Sequence, residues 1–83
     1  MAHNPREAAV MCWFPTGNMR PIPLSLKYKD NDWIIISIKD LHIIESHIII
    51  QGIKYICKAE INESVIQFVL TFYKDDYKWM ISC

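Results

Sequence analysis

The chain has 83 residues, nine basic against nine acidic, so its formal net charge is zero. Hydrophobic residues make up 52% and charged residues only 22%. That length leaves no room for two cores, and that apolar fraction excludes disorder along the whole chain. The charge balance supplies no electrostatic footprint for nucleic acid or an anionic membrane.

Two glycines are too few for a Gly-x-Gly-x-x-Gly phosphate loop. Fifteen residues are isoleucine, a β-branched side chain that packs well on a pleated surface. Composition therefore leans toward strands, and periodicity has to decide.

Residues 1–23 hold all four prolines and read as an irregular segment packing on the domain that follows. Within it, Ala8 to Phe14 is an apolar run of seven, stopped by Pro15. It lacks the basic cluster and small-residue cleavage pattern of a signal peptide. Arg6 to Phe14 suits either a short helix or a strand, after a tail frayed to about Ala8. Trp13 and Phe14 are expected to dock on the core. Thr16-Gly17-Asn18 is a turn cluster. No stretch approaches the roughly 18 apolar residues of a membrane span, so a cytoplasmic, non-membrane protein is expected.

Residues 24–83 read as the antiparallel β domain. Leu24, Leu26 and Tyr28 alternate with Ser25, Lys27 and Lys29. Trp33 to Lys39 is a second strand. Apolar partners are matched if Leu24, Leu26 and Tyr28 oppose Ile38, Ile36 and Ile34, which requires an odd loop at Asp30-Asn31-Asp32. Asp40 to Ser46 fits a one-turn helix or a bulged strand, with isoleucine density favouring the strand. Gln51-Gly52 is expected to form a two-residue turn.

The last three strands give the sharpest expectation. Two-residue loops at Asn62-Glu63 and Asp75-Asp76 pair Ala59 with Ile66, Cys57 with Phe68, Tyr55 with Leu70, and Ile53 with Phe72. They also set Phe72 against Trp79 and Leu70 against Ile81. Opposed residues share a face, so one register gathers a continuous apolar face, and a one-residue slip would expose a whole strand of it. Four-residue loops preserve the same pairing. The register sets Cys57 and Cys83 two strands apart, about 9–10 Å at about 4.8 Å per strand, beyond disulfide reach.

Chemistry is sparse. Cys12, Cys57 and Cys83 form no Cys-x-x-Cys pair, and an odd count argues against a disulfide framework. His42 and His47 are five apart, which on a regular strand puts them on opposite faces. Glu45 and His47 share a face, enough for one hydrogen bond and too little for a coordination sphere. The carboxylates Asp30, Asp32, Glu63, Asp75 and Asp76 sit in turn-like positions. No catalytic residues, metal or cofactor are assigned, and the expectation is a protein that is not an enzyme.

The second face of the last three strands is mixed. Ile56, Val69, Tyr73 and Met80 lie there with Lys54, Lys58 and Lys78, and these seven are the expected interaction surface. Cover by the N-terminal segment is favoured over cover by a partner. The expected fold is all-β: a meander of five or six antiparallel strands, curled into an SH3-like or OB-like open barrel. An α+β sheet with a short helix at Ala8–Phe14 or Asp40–Ser46 is the alternative. The expected role is protein–protein interaction or self-association, possible homodimerisation included. Single-stranded nucleic-acid binding through lysines and aromatics is the alternative.

Overall fold

A computed structural model describes residues 5–16 and 20–82. His3, the Gly17-Asn18 part of the first turn cluster and the spacing of Cys57 from Cys83 lie outside the described residues. The described chain is all-β. Its strands are β1 (Arg6–Trp13), β2 (Ile22–Asp30), β3 (Asp32–Ile36), β4 (Leu41–Ile49), β5 (Gly52–Ile61), β6 (Ser64–Tyr73) and β7 (Lys78–Ser82). They form one antiparallel sheet in the order β3-β2-β1-β7-β6-β5-β4. Two local meanders, β1–β3 and β4–β7, meet where β1 pairs with β7. The sheet does not close, and its two edges, β3 and β4, are consecutive in sequence.

Seven strands replace the expected five or six. The stretch expected to be irregular carries β1 and the first two residues of β2. Ala8, placed at the end of a frayed tail, is buried beneath β7 neighbours. Both candidate helices are strand instead: Ala8 to Trp13 lies within β1, and Leu41 to Ser46 within β4.

The C-terminal registers are those that the apolar pattern requires. Ala59↔Ile66, Cys57↔Phe68, Tyr55↔Leu70, Ile53↔Phe72, Phe72↔Trp79 and Leu70↔Ile81 all form. Of the ten residues on that face, nine are buried and Ile66 packs against them. Leu26, Tyr28 and Ile36 from the first meander join the same core. A single sheet can bury side chains from both halves together only by curling around them. Each fully buried side chain of this size contributes roughly 1.5–3 kcal/mol.

The hairpins differ in detail. At β2–β3, Leu26↔Ile36 and Tyr28↔Ile34 form as expected, and Asn31 alone turns the chain, at φ 66. β3 ends at Ile36, so Leu24 never meets Ile38. A bulge also displaces Leu24: Met11 pairs with Ser25, then Cys12 with Pro23. Pro23, which has no N–H to offer a ladder, sits at that irregularity and is buried. At β5–β6 the loop is the expected Asn62-Glu63, both at positive φ (50 and 66), as a type I′ turn requires. The β6–β7 loop spans four residues, Lys74 to Tyr77, because Tyr73 pairs with Lys78. The β4–β5 turn is Ile50-Gln51, one residue earlier than expected, because Gly52 is already in the ladder opposite Ile49.

β4 follows a tight turn in which the Ser37 carbonyl accepts from the amides of Asp40 and Leu41, at 3.0 and 3.1 Å. It carries a bulge: Ile43 opposes Cys57, Glu45 opposes Ile56, and Ile44 is the extra residue. Among the described residues, no helix is long and apolar enough to cross a membrane.

Candidate interaction surface

Strand alternation sends five lysines to the outer face: Lys27 and Lys29 from β2, Lys54 and Lys58 from β5, Lys78 from β7. Each lies out of phase with the buried residues of its own strand. Of the nine acidic residues, Asp30, Asp32, Asp40, Glu63, Asp75 and Asp76 sit at hairpins and turns, leaving Glu7, Glu45 and Glu60 on strands. A neutral chain thereby acquires a mildly basic outer face.

All seven residues of the expected surface lie on this face. Ile56 is directly opposite Val69, and Met80 lies one strand over from Val69, diagonal to it. These three and Tyr73 are half-buried, while Lys54, Lys58 and Lys78 are exposed. Tyr73 faces Lys78, Lys54 faces Thr71, and Lys58 faces Gln67. The lysines are thus spread along the sheet rather than gathered. Among the described residues of the N-terminal segment, β1 enters the sheet beside β7 instead of crossing over the patch.

The more exposed apolar surface lies at the sheet edges, which periodicity alone could not distinguish from inner strands. On β4, every residue from His42 to Ile48 is exposed, Ile44 at 49% and Ile48 at 64%. On β3, Trp33 and Ile35 are exposed, and Lys27 Nζ lies 5.5 Å from the centre of the Trp33 ring. A cation over an aromatic face covers part of that ring. Among the described residues, no cation lies over the exposed isoleucines of β4 in this way.

The bulge at Ile44 also changes the histidines. His42 opposes Lys58 and His47 opposes Lys54, so both face outward. Simple alternation separates them, and one extra residue restores a common face. They remain four rungs apart, about 13 Å at about 3.3 Å per residue, too far to share a metal ion. Among the described residues no group of three or more His, Cys, Asp or Glu could hold one. His47 Nε2 lies 2.7 Å from Glu45 Oε2, the single hydrogen bond that their spacing allows.

Trp13 and Phe14 do not bury in the core: both are exposed, at 57% and 49%, although Phe14, just past β1, sets its ring edge-on to Phe72, centres 6.3 Å apart. Phe72 continues to Trp79 at 4.9 Å and Trp79 to Tyr55 at 5.7 Å. Beside Phe14 and Phe72 an open cleft of about 670 Å³ is lined by apolar residues, Ile48 and Ile53 among them, with Arg20 and Lys74.

The buried titratable groups are held in their neutral forms. Tyr55 donates its hydroxyl to the Pro21 carbonyl, and burial pushes its pKa up to about 12. Burial likewise pushes the Cys57 thiol up to about 11 and raises that of Cys12. A raised thiol pKa means less thiolate and a poorer nucleophile.

An alkaline instability follows. The folded state keeps protons that the unfolded chain releases from about pH 9 (Cys57) and about pH 10 (Tyr55). Their contribution is complete below pH 9 and is lost as pH rises through 11 and 12. Thermal midpoints measured against pH should therefore fall across this window, and Cys57→Ala should flatten the lower part of the decline. A profile level to pH 12 would contradict the burial of both groups.

No family model, no curated protein and no solved structure matches the chain.

Proposed function

We propose that this chain is a non-catalytic β domain that works by association, adding a protein strand to its open sheet edge. The observation that carries this is β4. It is a nine-residue edge strand with no lysine and no proline, and Ile43, Ile44 and Ile48 on it are exposed. Protein edges are ordinarily blunted by charge, proline, brevity or cover, because a free row of backbone groups is a template for another strand. β3 has such protection, being short, begun by Asp32 and shielded by Lys27. β4 has Glu45, its histidines and the bulge at Ile44, which leaves a regular open edge beyond Glu45. Thiols kept neutral by burial suit a reducing, cytoplasmic setting.

Sedimentation velocity over a wide concentration range tests this. A species heavier than the 9.8 kDa chain should grow with concentration. Ile48→Lys should abolish it while leaving the thermal midpoint unchanged, since Ile48 is exposed. A monomer at every concentration would refute association between copies.

The basic outer face favours a second reading, single-stranded nucleic-acid binding through Lys54, Lys58 and Lys78. It requires binding to a mixed oligonucleotide pool that weakens with salt. Binding that survives removal of those three lysines would discard it.

A further inference from the structure

We infer that the occupant of the β4 edge is the β4 strand of a second copy, paired antiparallel about a two-fold axis at Ser46. The inference rests on the edge-association reading and specifies its partner and register.

The residues from 44 to 48 run Ile-Glu-Ser-His-Ile. In chemical terms this segment reads the same in both directions, except that an acid stands where its mirror position holds a base. A two-fold interface is self-complementary: if residue i meets residue j, j meets i. Centring the pair on Ser46 therefore opposes Ile44 to Ile48 of the other copy, and Glu45 to its His47. Both Glu–His pairs lie on the outer face, because Glu45 opposes Ile56 and His47 opposes Lys54 within each copy. With the existing Glu45–His47 contact at 2.7 Å, the two copies build a square of alternating acid and base. The isoleucines meet on the other side, where Ile48 already neighbours the buried Ile53.

Competing registers fail on the same residues. Opposed residues must share a face, so the axis has to pass through a residue rather than between two. On Glu45 it opposes two glutamates, whose like charges repel, and on His47 it sets Glu45 opposite Ile49, so that no acid–base pair forms. The bulge at Ile44 breaks the alternation toward Ile43, which confines the paired segment to residues 44–48.

The test is sedimentation equilibrium of the full chain, wild type beside Glu45→Lys, His47→Glu and the double variant. All four positions of the square are exposed, with Glu45 and His47 each 56% accessible, so circular dichroism and thermal midpoints should match throughout. The wild type is expected to dimerise. His47→Glu sets glutamates opposite each other at two symmetric places, and Glu45→Lys removes the carboxylate that faces His47; each should loosen the dimer about tenfold or more, and the double variant, which restores an acid–base pair at both places, should recover to within about threefold. A wild-type dimer indifferent to the single variants, or one that the double variant fails to restore, would overturn this register while leaving edge association standing. A wild type that stays monomeric would remove this register and self-association with it.

Discussion

Gly52→Ala is expected to cost about 3 kcal/mol or more of stability, among the larger effects of a single substitution. A β-carbon at this position would lie 1.8 Å from the Phe72 carbonyl oxygen and 2.9 Å from its carbon. Those atoms are backbone, so no side chain can swing away. Gly52 pairs with both Ile49 and Tyr73, and the adjacent Lys74 amide donates to the Gln51 carbonyl at 3.0 Å. Relief of the clash has to move the end of β6, and with it Phe72, on which Phe14, Tyr77 and Trp79 all pack. For a domain of this size each kcal/mol is worth about 4–8 °C, so the midpoint should drop by more than about 12 °C. Gln51→Ala, exposed in the same turn, should stay within about 0.5 kcal/mol. A Gly52→Ala midpoint within a few degrees of wild type would mean that β5 and β6 do not approach this closely.

Phe68→Ala should be comparably severe, for a different reason. Phe68 is 2% exposed and stands opposite Cys57, which is fully buried. Truncating a buried phenylalanine costs roughly 3–5 kcal/mol through lost transfer energy and the cavity left behind. The whole domain has only about 0.05–0.15 kcal/mol per residue to lose, so the midpoint of a urea titration should fall by a large fraction of its wild-type value. Trp33→Ala is the contrast. It removes a larger ring, but one that is 60% exposed at the sheet edge, and the midpoint should barely move. Equal losses at the two positions would mean that the sheet does not curl around Phe68.

The sequence made one kind of fact legible and hid another. Where polar and apolar residues alternate cleanly, as in Ile53–Ala59 against Ile66–Phe72, facing partners can be matched and the register follows. Where alternation is broken by one extra residue, nothing local marks the break. Ile43-Ile44 in β4 looks like two ordinary core isoleucines, yet one is a bulge that brings His42 and His47 to the same face. β1 was obscured for a related reason. Arg6–Trp13 has no period-two pattern, because alanines occupy both its buried and its exposed positions, and its partner strand β7, with Ile81, lies far away in sequence. The outer-face residues Ile56, Val69, Met80 and the three lysines were legible as a face. That β4 is an open edge depends on which strand ends the sheet, a property of the complete strand order that no single segment carries.

That order has a consequence for assembly of the fold. Every ladder but one joins strands adjacent in sequence and can zip locally. The exception, β1 with β7, links residues almost a full chain length apart, such as Arg6 and Ile81. Closing so long a loop is the slow, entropy-limited event, so two preformed meanders should wait on it. The first and last strands thus behave as a clasp at the middle of the sheet. Loss of a few residues from either strand would part the molecule down its centre, whereas nicking the chain at Lys39, between the two edges, would leave every ladder in place.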